Sequence, residues 1–281
     1  MFSVEKPLSK VLYAIGVAVI FLCVFSQYFF HLGTVMGYLV VYGVPILVVS
    51  LIFGKPLLKK AARNSKDAFK WSLCLFGALT LFGIFLSVVA LAIILQFDPQ
   101  AVDLLNRPNP ALNVPPEVAL IMIAISLFVV GPAEEYLFRG FIFGGLLSVS
   151  RGRFWLPLAI VSSLMFASVH AYYFLTYGVA SAVSFIDLVC FGVAMAVTYY
   201  WSGGNILAAA VIHGVYDATG FLGVATTSLV GIAARGTFIA IGVIFAVVYL
   251  PKKIRLTPAQ VPQEAAKNSQ VQTEPPPNSL T

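Results

Sequence analysis

Seven charged or titratable side chains fall inside apolar stretches of this sequence: Glu134, Glu135, Arg139, His170, Asp187, His213 and Asp217. A charge in hydrocarbon is costly, so each of them needs a partner or a purpose. Spacing sorts them. Glu135 and Arg139 are four apart and share a helical face, with the acid on the N-terminal side that favours an ion pair. Glu134 is rotated about 100° from Glu135 and lies five residues from Arg139, so it is left without a local partner. A carboxyl in that position can exchange a proton near neutral pH, which is what a general base or acid needs. His213 and Asp217 are again four apart, so the carboxylate can orient and polarise the imidazole. Two histidines on separate segments and a spare glutamate make a set able to activate water. The plainer alternative is packing alone, and one arginine facing two buried acids weighs against it. His31 sits in the turn between the first two apolar segments and reads as interfacial.

The elements that position these residues are membrane spans. Hydrophobic residues make up 60% of the 281, charged residues 10%, and mean hydropathy is +0.95, a balance that cannot cover a water-facing surface. A helix crosses a hydrocarbon core of about 30 Å with about 20 apolar residues. Such stretches run near 11–30, 33–53, 71–95, 118–145, 155–175, 182–200, 206–222 and 232–250. The sequence therefore predicts an all-α, polytopic transmembrane helical bundle of eight spans, with seven as the alternative because 221–250 is almost continuously apolar. Residues 1–255 form the membrane domain, and the Pro-rich 256–281 read as a disordered cytoplasmic tail. The N-terminal stretch has no small-residue cleavage site after its apolar run, so it reads as a retained anchor.

Charge placement tests this layout. With the N-terminus inside, all of the 17 basic residues except Arg107, Arg139 and Arg235 fall on the cytoplasmic side, as do both termini. Arg107 and Arg235 are assigned outside, in or beside connectors such as the polar 97–117 loop. The net charge of +6 is thus topological, and no nucleic-acid partner is expected. Cys23, Cys74 and Cys190 lie in apolar runs without CxxC pairing, which favours neither disulfides nor a thiolate metal site. Depth is a further constraint. Gly152 is midway between Glu134 and His170, so a hairpin brings those two level. His213 matches their depth if Gly144-Gly145 ends the fourth span and Pro157 opens the fifth.

Three motifs carry a resemblance. Glu134-Glu135-Tyr136-Leu137-Phe138-Arg139 resembles the EExxxR motif of the CAAX-processing and bacteriocin-processing (CPBP, Abi) intramembrane peptidases, the type II CAAX prenyl endopeptidases among them. Phe166 to His170 resembles their FxxxH motif, and His213 to Asp217 their HxxxN or HxxxD motif. The ordered trio spans 131–220, about a third of the chain. The resemblance implies an intramembrane endopeptidase with Glu134 as general base, helped by His170. It implies that His213 and residue 217 stabilise the oxyanion, with Glu135, Arg139 and Phe166 in support. Its substrates would be prenylated or other membrane-associated peptides or proteins, with the lipid bilayer as the second partner.

Asp217 departs from the asparagine more usual at that position, and an ionised aspartate repels an oxyanion. It must orient His213, stay protonated or help bind a metal. Glu134, His170 and His213 have the donor types of a two-histidine, one-glutamate zinc set. A metal-free glutamate mechanism uses the same residues and is the reading favoured. Two other functions stay open: a proton- or ion-coupled transporter using Glu134, His170 and Asp217 as a relay, and a non-catalytic immunity or assembly factor. The first is weakened by the lack of an internal repeat.

Overall fold

Helices begin and end here where the backbone's own hydrogen bonds can be closed or capped, and apolar faces do the rest. The structure, a computed structural model, describes residues 9–30, 34–53, 62, 65–107, 109–150, 152 and 154–254. His31, the basic 55–61 stretch and the 256–281 tail lie outside the described residues. Among those described there is no strand. The chain runs through α1 (Lys10–Phe30), α2 (residues 34–53), α3 (Ser65–Phe97), α4 (Ala101–Leu105) and α5 (Pro116–Val149). It continues through α6 (Trp155–Ser168), α7 (Tyr172–Tyr177), α8 (Ser181–Trp201), α9 (Leu207–Ala225) and α10 (Ser228–Ile254).

Six of these runs are long and apolar enough to cross a membrane, and two shorter apolar helices, Met36–Ile52 and Trp155–Ser168, fall on the second and fifth expected segments. The protein is an integral membrane protein with a helical-bundle fold. Phe76, Phe141, Phe143, Phe166, Leu137 and Met195 are fully buried at its centre, while the outward faces remain apolar. α3 lies along α8 and α10, α6 packs on α8, and α9 is held between α5 and α10.

Three expectations change. The fourth segment does not stop at Gly144-Gly145, because α5 continues to Val149. Its end is made by Gly152, whose φ of 73° lets its N–H reach the Leu147 carbonyl at 2.7 Å and close the last turn. The fifth helix ends at Ser168, not 175, so His170 stands in a turn before α7. The 97–117 loop is not a plain connector. It folds into α4 and a 3-10 turn at Pro110–Leu112, and Ala101 is buried against Tyr177 and Ala180. This cap is tied down by Arg107, whose Nη1 donates to the Thr176 carbonyl at 3.1 Å.

Candidate active site

Both glutamates ride on α5, and their placement begins with a proline. Pro132 has no N–H to offer the carbonyl of Phe128, four residues earlier. The helix widens to π geometry at Ser126–Val130, just before it. Pro45 stands in the same relation to Val41, inside the π turn Leu39–Gly43 of α2. A second wide stretch of α5, Glu135–Phe143, contains no proline but carries Glu135 and Arg139. Such wide turns are frequent at functional sites, where they re-aim side chains.

Glu135 and Arg139 make the ion pair their spacing predicts, Oε2 to Nε at 3.2 Å, with both side chains sealed from solvent. The pair does not close on itself. Arg139 Nη2 donates to the Gly192 carbonyl of α8 at 3.3 Å, and its guanidinium lies 4.5 Å from the centre of the Phe166 ring. Phe166 also meets Phe138, His170 and His213 at ring separations of 5.2, 5.1 and 5.8 Å. It is the common wall behind the ionisable groups, and the cation–π contact adds about 1–2 kcal/mol in such a dry setting.

The other Glu135 oxygen does what local spacing could not reveal. Oε1 is 2.8 Å from Nδ1 of His213 on α9. Since that carboxylate is already paired with Arg139, Nδ1 carries the proton and donates it. Glu135 therefore holds one face of His213, in addition to the contact that its helix neighbour Asp217 makes as the spacing predicts. Asp217 faces the opposite nitrogen: its Oδ2 is 3.4 Å from Nε2, and Glu134 Oε2 is 3.6 Å from the same atom. The three carboxylates thus surround one imidazole. A close approach of backbones makes this possible. A Cβ on Gly131 would stand 2.7 Å from the Ala210 carbonyl oxygen, and one on Gly214 would stand 2.7 Å from that of Ser126. Glycine at both places lets α5 and α9 touch beside Glu134 and His213.

His170 is not joined to this cluster. Its Nδ1 lies 3.1 Å from the Phe166 carbonyl, which can only accept, so Nδ1 holds the proton and Nε2 is left as an acceptor. Among the described residues no hydrogen bond or ion pair links it to Glu134 or His213. All three, with Asp217, line one cavity of about 780 Å³. The zinc set of Glu134, His170 and His213 fits poorly. Among the described residues no three His, Cys, Asp or Glu side chains are gathered closely enough to hold a metal ion.

Two residues of the cavity lay beyond the sequence argument. Tyr42, on the π turn of α2, donates its hydroxyl to Glu134 Oε1 at 2.7 Å. Nothing marks it among the aromatic residues of an apolar run, although Pro45 flags the irregular turn. Arg235 was assigned to the outside. It lies two turns into α10, and its side chain lines the cavity. A cation inside the eighth apolar stretch was the available signal. Asp187, which spacing left unassigned, also lines the cavity and accepts from Ser87 at 3.0 Å.

Residues 116–219, from the start of α5 to the second half of α9, match the family model described as type II CAAX prenyl endopeptidase Rce1-like. The matched stretch holds all three motifs, so the resemblance read from the sequence is borne out. No curated protein and no solved structure matches the chain significantly.

Proposed function

We propose that the protein is an intramembrane endopeptidase in which Glu134 activates a water molecule for attack on a peptide carbonyl. The observation that carries this reading is the unequal surroundings of the two Glu134 oxygens. Oε1 is fixed by the Tyr42 hydroxyl, while the buried Oε2 has no hydrogen-bond partner among the described residues and faces the His213 imidazole. A base needs one such open lone pair and a carboxylate that cannot rotate.

In the reaction, Oε2 takes a proton as the water oxygen bonds to the carbonyl carbon and the carbonyl electrons move to its oxygen. Nε2–H of His213 donates to that oxyanion. The imidazole is then charged at both nitrogens, and the surrounding carboxylates balance it in the dry interior. As the tetrahedral carbon collapses, its C–N bond breaks and Glu134 returns the proton to the leaving nitrogen. His170 Nε2 accepts the second hydrogen of the water and aims it. Asp217 orients His213 from the nitrogen opposite Glu135, and the Glu135–Arg139 pair holds the ring from behind. The matched family makes prenylated C-terminal peptides the first substrates to try.

The test is cleavage of prenylated and unprenylated peptides by the purified chain, with and without a chelator. Glu134→Gln is expected to lower kcat by about 100- to 10,000-fold with unchanged thermal unfolding, and chelator is expected to have no effect. Activity that vanishes with chelator and returns with zinc would overturn the metal-free step. If Glu134→Ala abolished proton flux in liposomes while no peptide was cleaved, the hydrolase reading would fail in favour of a carrier.

A further inference from the structure

The cavity is lined by three acids, Glu134, Asp187 and Asp217, and among its described lining residues by a single Lys or Arg, Arg235. That arginine is held in a fixed pose. Its Nε donates to Thr219 Oγ1 of α9 at 3.0 Å, and its guanidinium lies 4.6 Å from the centre of the Tyr216 ring. Thr219 in turn donates to the Tyr216 carbonyl at 2.6 Å, so the acceptor itself is fixed. Neither Nη makes a hydrogen bond or ion pair among the described residues, although Asp187 faces the same space. One edge of the guanidinium is therefore used for positioning and the other is left for a ligand. A planar pair of N–H donors matches a carboxylate in two-point contact.

From these contacts, and resting on the peptidase reading above, we infer that Arg235 is the specificity residue that anchors a free carboxylate at the C-terminal end of the substrate. Thr219, which fixes Arg235, is six residues beyond His213, a rise of about 9 Å along α9, so the anchor stands apart from the reacting groups. In a cavity with three acids, a carboxylate placed anywhere else meets like charge. An acidic side chain near the end of a peptide offers the same chemistry, and the test separates the two sources.

The measurement is binding of fluorescent farnesylated peptides to the full chain in nanodiscs. One peptide ends in a free acid, the second is its C-terminal amide, and the third is the amide with glutamate as last residue. The acid is expected to bind about tenfold more tightly than the plain amide, the worth of one charge-assisted pair. Arg235→Gln should remove that preference while leaving amide binding and thermal unfolding unchanged, and Arg235→Lys should restore part of it. Rescue of affinity in the third peptide alone would assign the site to an acidic side chain and overturn the C-terminal assignment. So would equal binding of acid and amide, no saturable binding of either, or a preference that survives Arg235→Gln. Cleavage is scored separately. Selective binding without hydrolysis of any peptide sinks the peptidase reading and supports the anchor.

Discussion

Glu134 and Glu135 are adjacent in the chain, yet the fold gives them opposite duties by giving them different neighbours. Glu135 spends both oxygens, one on Arg139 and one on His213, and is sealed from solvent. Glu134 hydrogen-bonds through only one, to Tyr42, and its other oxygen faces the His213 imidazole at 3.6 Å. On the proposed mechanism that single hydrogen bond decides how well the base is aimed, and it gives a direct prediction. Tyr42→Phe frees the carboxylate to rotate. Misplacement of a reacting group by about 1 Å can cost about 100-fold, so the loss of aim decides the outcome. We expect kcat to fall at least about tenfold with KM unchanged, in steady-state cleavage. A raised KM at constant kcat would instead mean that Tyr42 touches the substrate and not the base. Asp217 is read through the same contacts. Because Glu135 already holds Nδ1, Asp217 serves only the Nε2 side, where its part exposure lets water soften its repulsion of an oxyanion.

At the scale of the elements, the site is a crossing of two helices. α5 and α9 meet backbone to backbone at Gly131 and Gly214, one residue from His213. In Gly214→Ala the new Cβ would stand 2.7 Å from the Ser126 oxygen and 2.8 Å from the Leu127 Cα. Both are backbone atoms that cannot swing aside, so the helices must part. Overpacking of this kind costs about 1–3 kcal/mol. The expected result is a lower unfolding temperature and a loss of activity larger than the stability change explains, since the Glu135–His213 bond lengthens. Gly236→Ala is the control: a Cβ there meets nothing within 4 Å, and neither quantity should move.

This scale also marks what could be read from the chain. The helices, the Glu135–Arg139 pair and the separateness of Glu134 were legible, because each depends on spacing within one segment. The Glu135–His213 and Tyr42–Glu134 bonds were not, because each joins two segments whose relative rotation is set by π turns and glycine contacts. The misread end of α5 has the same origin. Two glycines in a row look like a stop, but Tyr13 of α1 packs on that turn, donating to the Ile142 carbonyl at 2.9 Å, and the helix continues.

The whole molecule has two unlike ends. At one, all three tryptophans gather: Trp71 meets Trp201 at 5.0 Å, and Trp155 stacks on Tyr200 at 4.7 Å. Tyr249 joins them at 5.7 Å from Trp71, with Lys70 Nζ 5.8 Å from the Tyr249 ring centre. A tryptophan and tyrosine cluster with lysine beside it is the mark of a membrane–water boundary. The other end carries the α4 cap and Arg107. α3 joins the two, and its 33 residues span about 50 Å, more than the hydrocarbon core. The basic excess read from the sequence predicts, by the positive-inside rule, that the tryptophan end lies in the cytoplasm. Single cysteines placed at Lys66 and Arg107, in a chain with Cys23, Cys74 and Cys190 replaced by serine, test it directly. Both positions are exposed, one at each end of α3 and its cap. A membrane-impermeant maleimide on intact cells should label position 107 and reach position 66 only after permeabilisation. The reverse pattern would invert the orientation, and labelling of both from outside would mean that α3 does not cross the membrane at all.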